Sequence, residues 1–179
     1  MAISISRTSL LTNIKAMRPM LIAAAIVISL DQVTKEIIRK TIAINGKIEV
    51  IKGYLEISYA ENTGAAFGMF RGQNRIFIIV SLAAIGFIIL YYRQFKDNIW
   101  MRISLGLLMG GALGNLIDRV AFHYVTDFIR VRWWLMHLRW WPAFNVADAS
   151  VCIGAVMLIV GMIKRSKSIS QQTNGSMSP

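Results

Sequence analysis

Long apolar stretches alternate with polar segments along this chain of 179 residues. Four of the stretches approach the length of about 20 residues that a membrane-spanning helix needs. The second stretch is the clearest, because it contains no charged residue. The pattern predicts a mainly α-helical membrane protein with four transmembrane helices, at approximately residues 19–38, 76–92, 100–117 and 145–163.

The polar segments predict smaller elements. Apolar and polar side chains alternate in residues 48–51 and 55–59, on either side of turn residues at 52–54, which is typical of a short β-hairpin. Residues 119–143 hold four of the five tryptophans, interleaved with arginines, as expected of a segment at the membrane interface. Residues 164–179 begin with basic residues and end in Ser, Gln and Asn, so we expect a disordered tail.

Four spans place the N-terminal extension 1–18 and the tail 164–179 on one side of the membrane, opposite the loops 39–75 and 118–144. The two termini and the short loop after the second span hold nine Lys and Arg residues, and the two longer loops hold ten. The nine lie closer to span ends, where the positive-inside rule gives them most weight. We therefore expect cytoplasmic termini, extracytoplasmic loops and a single transmembrane domain over residues 19–163.

The basic flank of the first span is also a feature of cleaved signal peptides. A cleavage site would follow the apolar run with small residues, but here the run leads into Asp31 and the polar residues up to Glu36. The sequence thus favours a first span that is retained.

Composition agrees with a membrane protein, because 55% of the residues are hydrophobic and the mean hydropathy is +0.53. The net charge of +11 would suggest nucleic acid in a soluble protein. The basic residues lie beside apolar runs without a nucleic-acid-binding motif, so membrane lipid is the expected partner and nucleic acid is not. The single cysteine, Cys152, excludes an internal disulfide and lies in an apolar run, where we expect it to pack as a small hydrophobe.

Four aspartates are expected at one depth of the membrane. Asp31 lies near the far end of the first span, Asp118 just after the third and Asp148 at the start of the fourth, while Asp127 is in the loop on that side. A carboxylate in an apolar segment is costly unless it has a partner or a function. Two neighbouring carboxylates share a proton, and such a pair can activate water and polarise a carbonyl, as in aspartic proteases.

Each aspartate also has a purely structural interpretation. Asn145 and Asp148 have the spacing of a helix N-cap. Asp118 is adjacent to Arg119 and could form an ion pair at a helix end, and Asp31 and Lys35 have the spacing of a pair on one helical face. The glycines of the third span, which include Gly110-x-x-x-Gly114, are typical of close helix packing.

The motifs taken together resemble those of the lipoprotein signal peptidase (signal peptidase II) family. The resemblance covers about residues 19–163 and rests on these clusters in order: Asp31-Gln32-x-Thr34-Lys35, Asn62-Thr63-Gly64-Ala65-Ala66-Phe67, Gly110-Gly111-Ala112-x-Gly114-Asn115-x-x-Asp118-Arg119, Val125-x-Asp127-Phe128 and Phe144-Asn145-x-Ala147-Asp148. It implies four transmembrane helices, a small extracytoplasmic β-rich cradle and location in the bacterial inner membrane. It also implies an aspartyl endopeptidase, with no cofactor or metal, that cleaves diacylglyceryl-modified prolipoproteins immediately before the lipid-bearing cysteine.

The resemblance also implies roles for individual residues. Asp127 and Asp148 correspond to the catalytic pair, and we expect a monomer to carry them. Asp118 is the rival candidate, but the adjacent Arg119 would hold it ionised, so we expect it to support the site. The other residues expected to bind substrate or support the site are Asp31, Lys35, Asn62, Gly64, Asn115, Arg119, Asn145 and Ala147.

Other functions also use carboxylates in membranes. A proton-coupled transporter does so, but it normally carries more spans or internal repeats than this chain. A metal-dependent phosphatase or lipid hydrolase would use Asp and Asn as ligands, and chelators would abolish its activity. A non-enzymatic assembly factor would need neither the aspartates nor a perturbed pKa. Serine or cysteine catalysis lacks support, since Cys152 lies in a span and His123 and His137 have no evident nucleophile.

Overall fold

The structure is a computed structural model, and it describes residues 7–64, 69–95, 98–133 and 139–175. Four long helices and a small antiparallel sheet make up the described part of the chain. The helices are α1 (Arg7–Thr41), α2 (Asn74–Tyr91), α3 (Ile99–Ala121) and α4 (Val146–Gly175), and a short 3-10 helix at Tyr92–Phe95 continues α2. The strands are β1 (Lys47–Ile51), β2 (Leu55–Asn62), β3 (Val125–Trp133) and β4 (Arg139–Trp140).

Three helices in the described part of the chain are long and apolar enough to cross a membrane: α2 with its 3-10 extension, α3, and α4 as far as Ser168. These three correspond to the second, third and fourth predicted spans. The helix α1 is 35 residues long, but its apolar part is followed within the same helix by Asp31, Lys35 and Glu36. The protein is therefore mainly helical, with three spans supported by length and composition alone.

The helix α3 is the centre of the bundle and packs against both α1 and α4. Its glycines make the close contact that the sequence predicted. A Cβ atom at Gly110 would lie 2.7 Å from Cβ of Val27 in α1, and one at Gly111 would lie 2.6 Å from a methyl group of Val151 in α4. The helix α2 is more peripheral, and Ile79, Leu82 and Leu90 on it are exposed, as expected of side chains that face lipid.

The sheet lies at the end of the bundle where α1 and α3 end and α4 begins. Its strand order is β1-β2-β3-β4, and the predicted hairpin is confirmed, since β1 and β2 pair antiparallel. Tyr59 and Phe128 from the sheet pack on Ile38 of α1 and on Ile42, which directly follows α1. This apolar cluster fixes the sheet against the helices.

The Trp- and Arg-rich segment contributes to the sheet, which the sequence did not predict. Residues 125–133 form β3, which pairs with β2 along its length, and residues 139–140 form β4. Residues 129–133 do alternate between apolar and polar, but their arginines and tryptophans also fit an interfacial segment. In the sheet, Arg130 donates to Glu56 of β2 and Arg132 donates to the carbonyl of Gly53 in the turn before β2. Residues 134–138 lie outside the described part of the chain.

Two helix ends differ from the predicted boundaries. The sequence predicts a separate extension 1–18 before Pro19, but α1 begins at Arg7 and Pro19 lies inside it. The predicted disordered tail is wrong for residues 164–175, because α4 continues to Gly175. Residues 164–174 contain no proline or glycine, so polar composition there does not end a helix that is already formed.

Candidate active site

Five elements meet around one cavity at the sheet end of the bundle. The cavity has a volume of about 740 Å³ and opens between α2, α3, α4 and the sheet. Its walls are largely apolar, with Phe77, Val80 and Val151 among them. The polar residues that line it include Asn62, Ser81, Asn115, Arg119, Asp127 and Asp148, together with Gly64.

Asp127 reaches the cavity from β3. Asp127 pairs with Ala60 of β2 and is only 3% exposed. Asn62 donates to one carboxylate oxygen at 2.8 Å and Asn145 donates to the other at 2.7 Å. Burial, followed by the charge of Asp148, raises the pKa of Asp127 to about 7, against the opposing effect of the two amide hydrogen bonds.

Asp148 lies in the first turn of α4 and forms the cap that the sequence predicted. Its backbone N–H donates to Oδ1 of Asn145 at 2.9 Å, and its carboxylate accepts the backbone N–H of Asn145 at 3.2 Å. The other carboxylate oxygen accepts a hydrogen bond from Asn115 at 2.8 Å. The capping interpretation and the site interpretation are thus compatible, because one carboxylate makes both sets of contacts.

The chain brings Asp127 and Asp148 together by a backbone contact before α4. Phe144 pairs with Ile129 of β3, with N–O distances of 2.8 and 3.0 Å, so the chain enters α4 beside Asp127. Asn145 then connects the two acids. Its side-chain Nδ2 donates to Asp127 and also lies 3.1 Å from Oδ1 of Asn115. The side-chain Nδ2 of Asn115 donates in turn to Asp148.

A buried cluster of charges lies behind these residues. Asp31, Lys35 and Asp118 are each 0% exposed. Lys35 Nζ lies 2.8 Å from Asp31 and 3.3 Å from Asp118, which confirms the predicted pairing of Asp31 with Lys35. The same ammonium group donates to Oδ1 of Asn115 at 3.0 Å, and Asp31 accepts the backbone N–H of Ala147 at 2.9 Å. The cluster therefore holds both α3 and the start of α4 in register with α1.

Asp118 has different partners from the one expected. The sequence suggested an ion pair with the adjacent Arg119, but Asp118 contacts Lys35, Arg39 at 3.6 Å and the backbone N–H of Thr126 at 2.9 Å. Consecutive residues of a helix point in directions about 100° apart, so adjacency does not bring their side chains together.

Arg119 faces the cavity instead. Its guanidinium donates to the carbonyl of Gly64 at 2.9 Å and lies 4.4 Å above the ring of Phe77 in α2. Gly64 in turn donates its N–H to Asn62 at 2.9 Å. Arg119 therefore connects α3, α2 and the end of β2, and it supplies a positive charge beside the two acids.

Five residues that contact this network were absent from the predicted set. Gln32 has a sequence signal, because it lies in the same motif as Asp31, and its side-chain amide bonds to the carbonyl of Gly114. The others depend on contacts between distant segments, which a single sequence does not reveal. The five are Gln32, Arg39, Asn74, Phe77 and Thr126.

The cavity offers carboxylates and amides but no clear metal-binding set. Within residues 7–64, 69–95, 98–133 and 139–175, no three His, Cys, Asp or Glu side chains are grouped to hold a metal ion. Cys152, expected to pack as a small hydrophobe, is exposed on α4 and lines the cavity. It is exposed because it lies on the outer side of α4, where side chains face lipid as well as protein.

Comparisons with known proteins agree with the motifs. The profile of the family described as signal peptidase (SPase) II matches residues 23–164. The lipoprotein signal peptidase of Halothermothrix orenii is 39% identical over 146 residues, covering 82% of this chain and 96% of that protein. The lipoprotein signal peptidase of Geobacter sulfurreducens is 42% identical over 142 residues, covering 77% of this chain and 87% of that protein.

Two solved structures share the fold. One bacterial membrane enzyme, solved at 2.3 Å by the in meso method, has a TM-score of 0.77 and 34% identity, covering 83% of this chain and 90% of its own. A second, solved at 1.9 Å by the same method, has a TM-score of 0.72 and 35% identity, covering 81% of this chain and 92% of its own. Fold and sequence thus both indicate a membrane enzyme of the peptidase class. The chain belongs to the signal peptidase II family.

Proposed function

We propose that this protein is an aspartyl endopeptidase that removes the signal peptide from diacylglyceryl-modified prolipoproteins, with Asp127 and Asp148 as the catalytic pair. The observation that carries the proposal is that these two carboxylates, Asp127 buried and Asp148 half-buried, line one cavity and are joined through Asn145 and Asn115. The names of the relatives, lipoprotein signal peptidases, support the substrate class.

The proposed chemistry needs one proton on the pair. The raised pKa of Asp127, about 7, allows the pair to hold that proton near neutral pH. The ionised carboxylate removes a proton from a water molecule, whose oxygen attacks the scissile carbonyl carbon. The protonated carboxyl group donates to the carbonyl oxygen and gives a tetrahedral intermediate. The C–N bond then breaks, a proton passes to the departing amine, and no covalent enzyme adduct or metal is involved.

The surroundings of the pair suit an extended peptide that carries a lipid. Asn62, Asn115 and Arg119 offer side-chain hydrogen-bonding groups in the cavity. The apolar walls formed by α2 and α4 suit the signal helix and the acyl chains. Cleavage immediately before the lipid-bearing cysteine would leave the lipid on the product that begins with this cysteine. The acyl chains of that product would remain in the membrane.

The role proposed for Asp118 is structural. Its carboxylate is occupied by Lys35, Arg39 and the backbone of Thr126, and it is not among the residues that line the cavity. A carboxylate held by two cations is a poor proton acceptor for water. These contacts support Asp127, rather than Asp118, as the partner of Asp148.

We also propose that α1 crosses the membrane as a fourth span, with both termini in the cytoplasm of the bacterial cell and the site on the extracytoplasmic side of the inner membrane. The packing of α1 along the glycine face of α3 supports this arrangement. Two charged residues in the middle of α1, Asp31 and Lys35, do not face lipid, because they are fully buried and paired with each other. The protein is proposed to act as a monomer.

The Trp- and Arg-rich segment 130–141 borders the site, and residues 134–138 of it lie outside the described part of the chain. Among its described residues, Arg130 lies 5.2 Å from the ring of Trp140, and Trp141 lines the cavity. Trp141 would help to exclude water from a bound substrate, which would strengthen the electrostatic contribution of the two acids.

The experiment that tests the substrate assignment compares two substrates. Purified protein is incubated with a diacylglyceryl-modified prolipoprotein and with the same precursor lacking the lipid, in the presence of EDTA. We expect cleavage of the lipidated precursor alone, with a new N-terminus at the lipid-bearing cysteine by mass spectrometry. Cleavage at another position, or equal cleavage of the unmodified precursor, contradicts the proposed specificity; loss of cleavage in EDTA contradicts the metal-free chemistry.

A further inference from the structure

A second cavity lies at the opposite end of the helices from Asp127 and Asp148. It has a volume of about 520 Å³ and lies between the start of α3 and the last turns of α4 that the membrane can hold. Lys164 at its end is 16 residues along α4 from Asp148, which corresponds to roughly 24 Å of helix rise. This groove is therefore separate from the candidate active site and close to the other face of a ~30 Å hydrocarbon core.

The floor and walls of this groove are apolar and accessible. Gly161 forms the floor, where a Cβ atom would lie 3.1 Å from Cγ of Met101. Trp100, Val156 and Val160 form the walls and are 67%, 61% and 45% exposed. Side chains of this kind, open toward the bilayer, suit an acyl chain better than a water-filled pocket.

Two basic side chains, Lys164 and Arg165, lie at the polar end of the groove. Lys164 and Arg165 line it and are both exposed, and none of the described residues that line the groove is acidic. Arg165 is held in place, because it donates to the carbonyl of Gln94 at 2.8 Å and lies 6.0 Å from the ring of Phe95. A guanidinium has five N–H donors, so this bond leaves donors for an anion. The helix α3 begins at the same end, and its N-terminal partial positive charge also favours an anion.

We propose that this groove binds one anionic diacyl phospholipid. Its phosphate contacts Lys164 and Arg165, and one acyl chain lies along Val160 and Val156. Val156 and Lys164 are eight residues apart, about 12 Å of helix rise, which is close to the depth of one leaflet, about half of a ~30 Å core. A second copy of this chain is a poor occupant, because it would bring two cationic pairs face to face.

Native mass spectrometry of the full protein released from detergent tests this site. The probes are phosphatidylglycerol and phosphatidylcholine with identical acyl chains. We expect one retained phosphatidylglycerol, and the double variant Lys164→Gln/Arg165→Gln should bind it roughly tenfold more weakly. The matched control Arg93→Gln/Lys167→Gln removes two exposed cations from the same end of the bundle and should bind as the wild type does.

A third variant separates the acyl chain from the headgroup. Val156→Trp fills the groove from an exposed position, so it should fold and cleave prolipoprotein normally but lose the retained lipid. Equal retention of both lipids by the wild type would overturn the proposal. If the control variant lost phosphatidylglycerol as much as Lys164→Gln/Arg165→Gln does, the attraction would be diffuse. If Val156→Trp retained the lipid unchanged, the acyl chain would not occupy the groove. Either result also overturns the proposal. Displacement of the lipid by inorganic phosphate would show that the site binds an anion without an acyl chain, and this result also overturns the proposal.

Discussion

Asn145 contacts both members of the proposed catalytic pair, so one residue links the two acids. Its side-chain amide donates to Asp127, and its backbone N–H donates to Asp148. An uncharged side chain can join two carboxylates without neutralising either of them. The pair therefore keeps the electrostatic repulsion that, after burial as the larger cause, raises the pKa of Asp127.

Asn62 provides a test of the pKa at the level of one residue. It donates to Asp127 and so favours the ionised form. In Asn62→Ala this hydrogen bond is lost and the pKa of Asp127 rises further. The shared proton is then retained to higher pH, and the alkaline limb of the plot of kcat/KM against pH should move up by about one unit. An alkaline limb that moves to lower pH, or does not move, would mean that it does not report Asp127.

Lys35 provides a test of the buried charges. In Lys35→Met, Asp31 and Asp118 lose their shared cation while both remain fully buried. We expect the free energy of unfolding to fall by about 3 kcal/mol, which would appear as a lower midpoint of thermal unfolding in detergent. The control is Lys40→Met, which removes an exposed pair with Glu36 on the same helix and should leave the midpoint unchanged. Equal midpoints for the two variants would contradict a structural role for the cluster.

At the scale of elements, the site depends on how closely α1, α3 and α4 approach one another. Gly114 is the tightest point that involves a charged group, because a Cβ there would lie 2.6 Å from a carboxylate oxygen of Asp31 and 3.3 Å from Cβ of Ala147. The same Asp31 carboxylate accepts the N–H of Ala147. A side chain at position 114 would thus disturb the start of α4, where Asp148 lies.

Gly114→Ala should therefore reduce both activity and thermal stability, although alanine is the better helix former. Its control is Gly86→Ala in α2, where a Cβ would meet no described atom within 4 Å. We expect that variant to keep its activity and to be as stable as the wild type or more so. Cleavage rates and unfolding midpoints measured together distinguish the two, and normal activity in Gly114→Ala would contradict the close-packing account.

Some elements were predictable from the sequence because their signal is local. Apolar length predicted α2, α3 and α4, alternation predicted the hairpin of β1 and β2, and spacing predicted the Asn145–Asp148 cap. The strand β3 was missed, because its arginines and tryptophans resemble an interfacial segment until β2 is known to lie beside it. The partners of Asp118 were missed for the same reason, since Lys35 and Arg39 come from a distant helix.

At the scale of the whole molecule, the sheet and the buried charges lie at one end of the bundle and the proposed lipid groove at the other. This polarity is a consequence of four helices that alternate in direction. Nine basic residues against ten in the sequence gave little guidance on orientation. The acids converge because α1 and α3 end, and α4 begins, at the same end of the bundle. Whether α1 crosses the membrane therefore determines whether the two termini lie on the same side.

Thiol labelling in intact cells tests whether α1 crosses the membrane. In a Cys152→Ser background, single cysteines are placed at Arg18 and Lys52, which are exposed before and after the apolar part of α1. A membrane-impermeant reagent should label Lys52→Cys from the periplasmic side and should label Arg18→Cys only after lysis. Labelling of both positions from the same side would contradict a fourth span.

The central claim is that Asp127 and Asp148, and not Asp118, carry out the cleavage. The most direct measurement is the cleavage rate of a diacylglyceryl-modified prolipoprotein, with EDTA present, by wild type, Asp127→Asn, Asp148→Asn and Asp118→Asn at matched folded amounts. We expect the first two variants to lose at least roughly a thousandfold in rate. Asp118→Asn should keep measurable activity but unfold at a lower temperature, because Lys35 and Arg39 lose a partner. An active Asp127→Asn together with inactive Asp118→Asn and Asp148→Asn would show that the pair is assigned to the wrong aspartate.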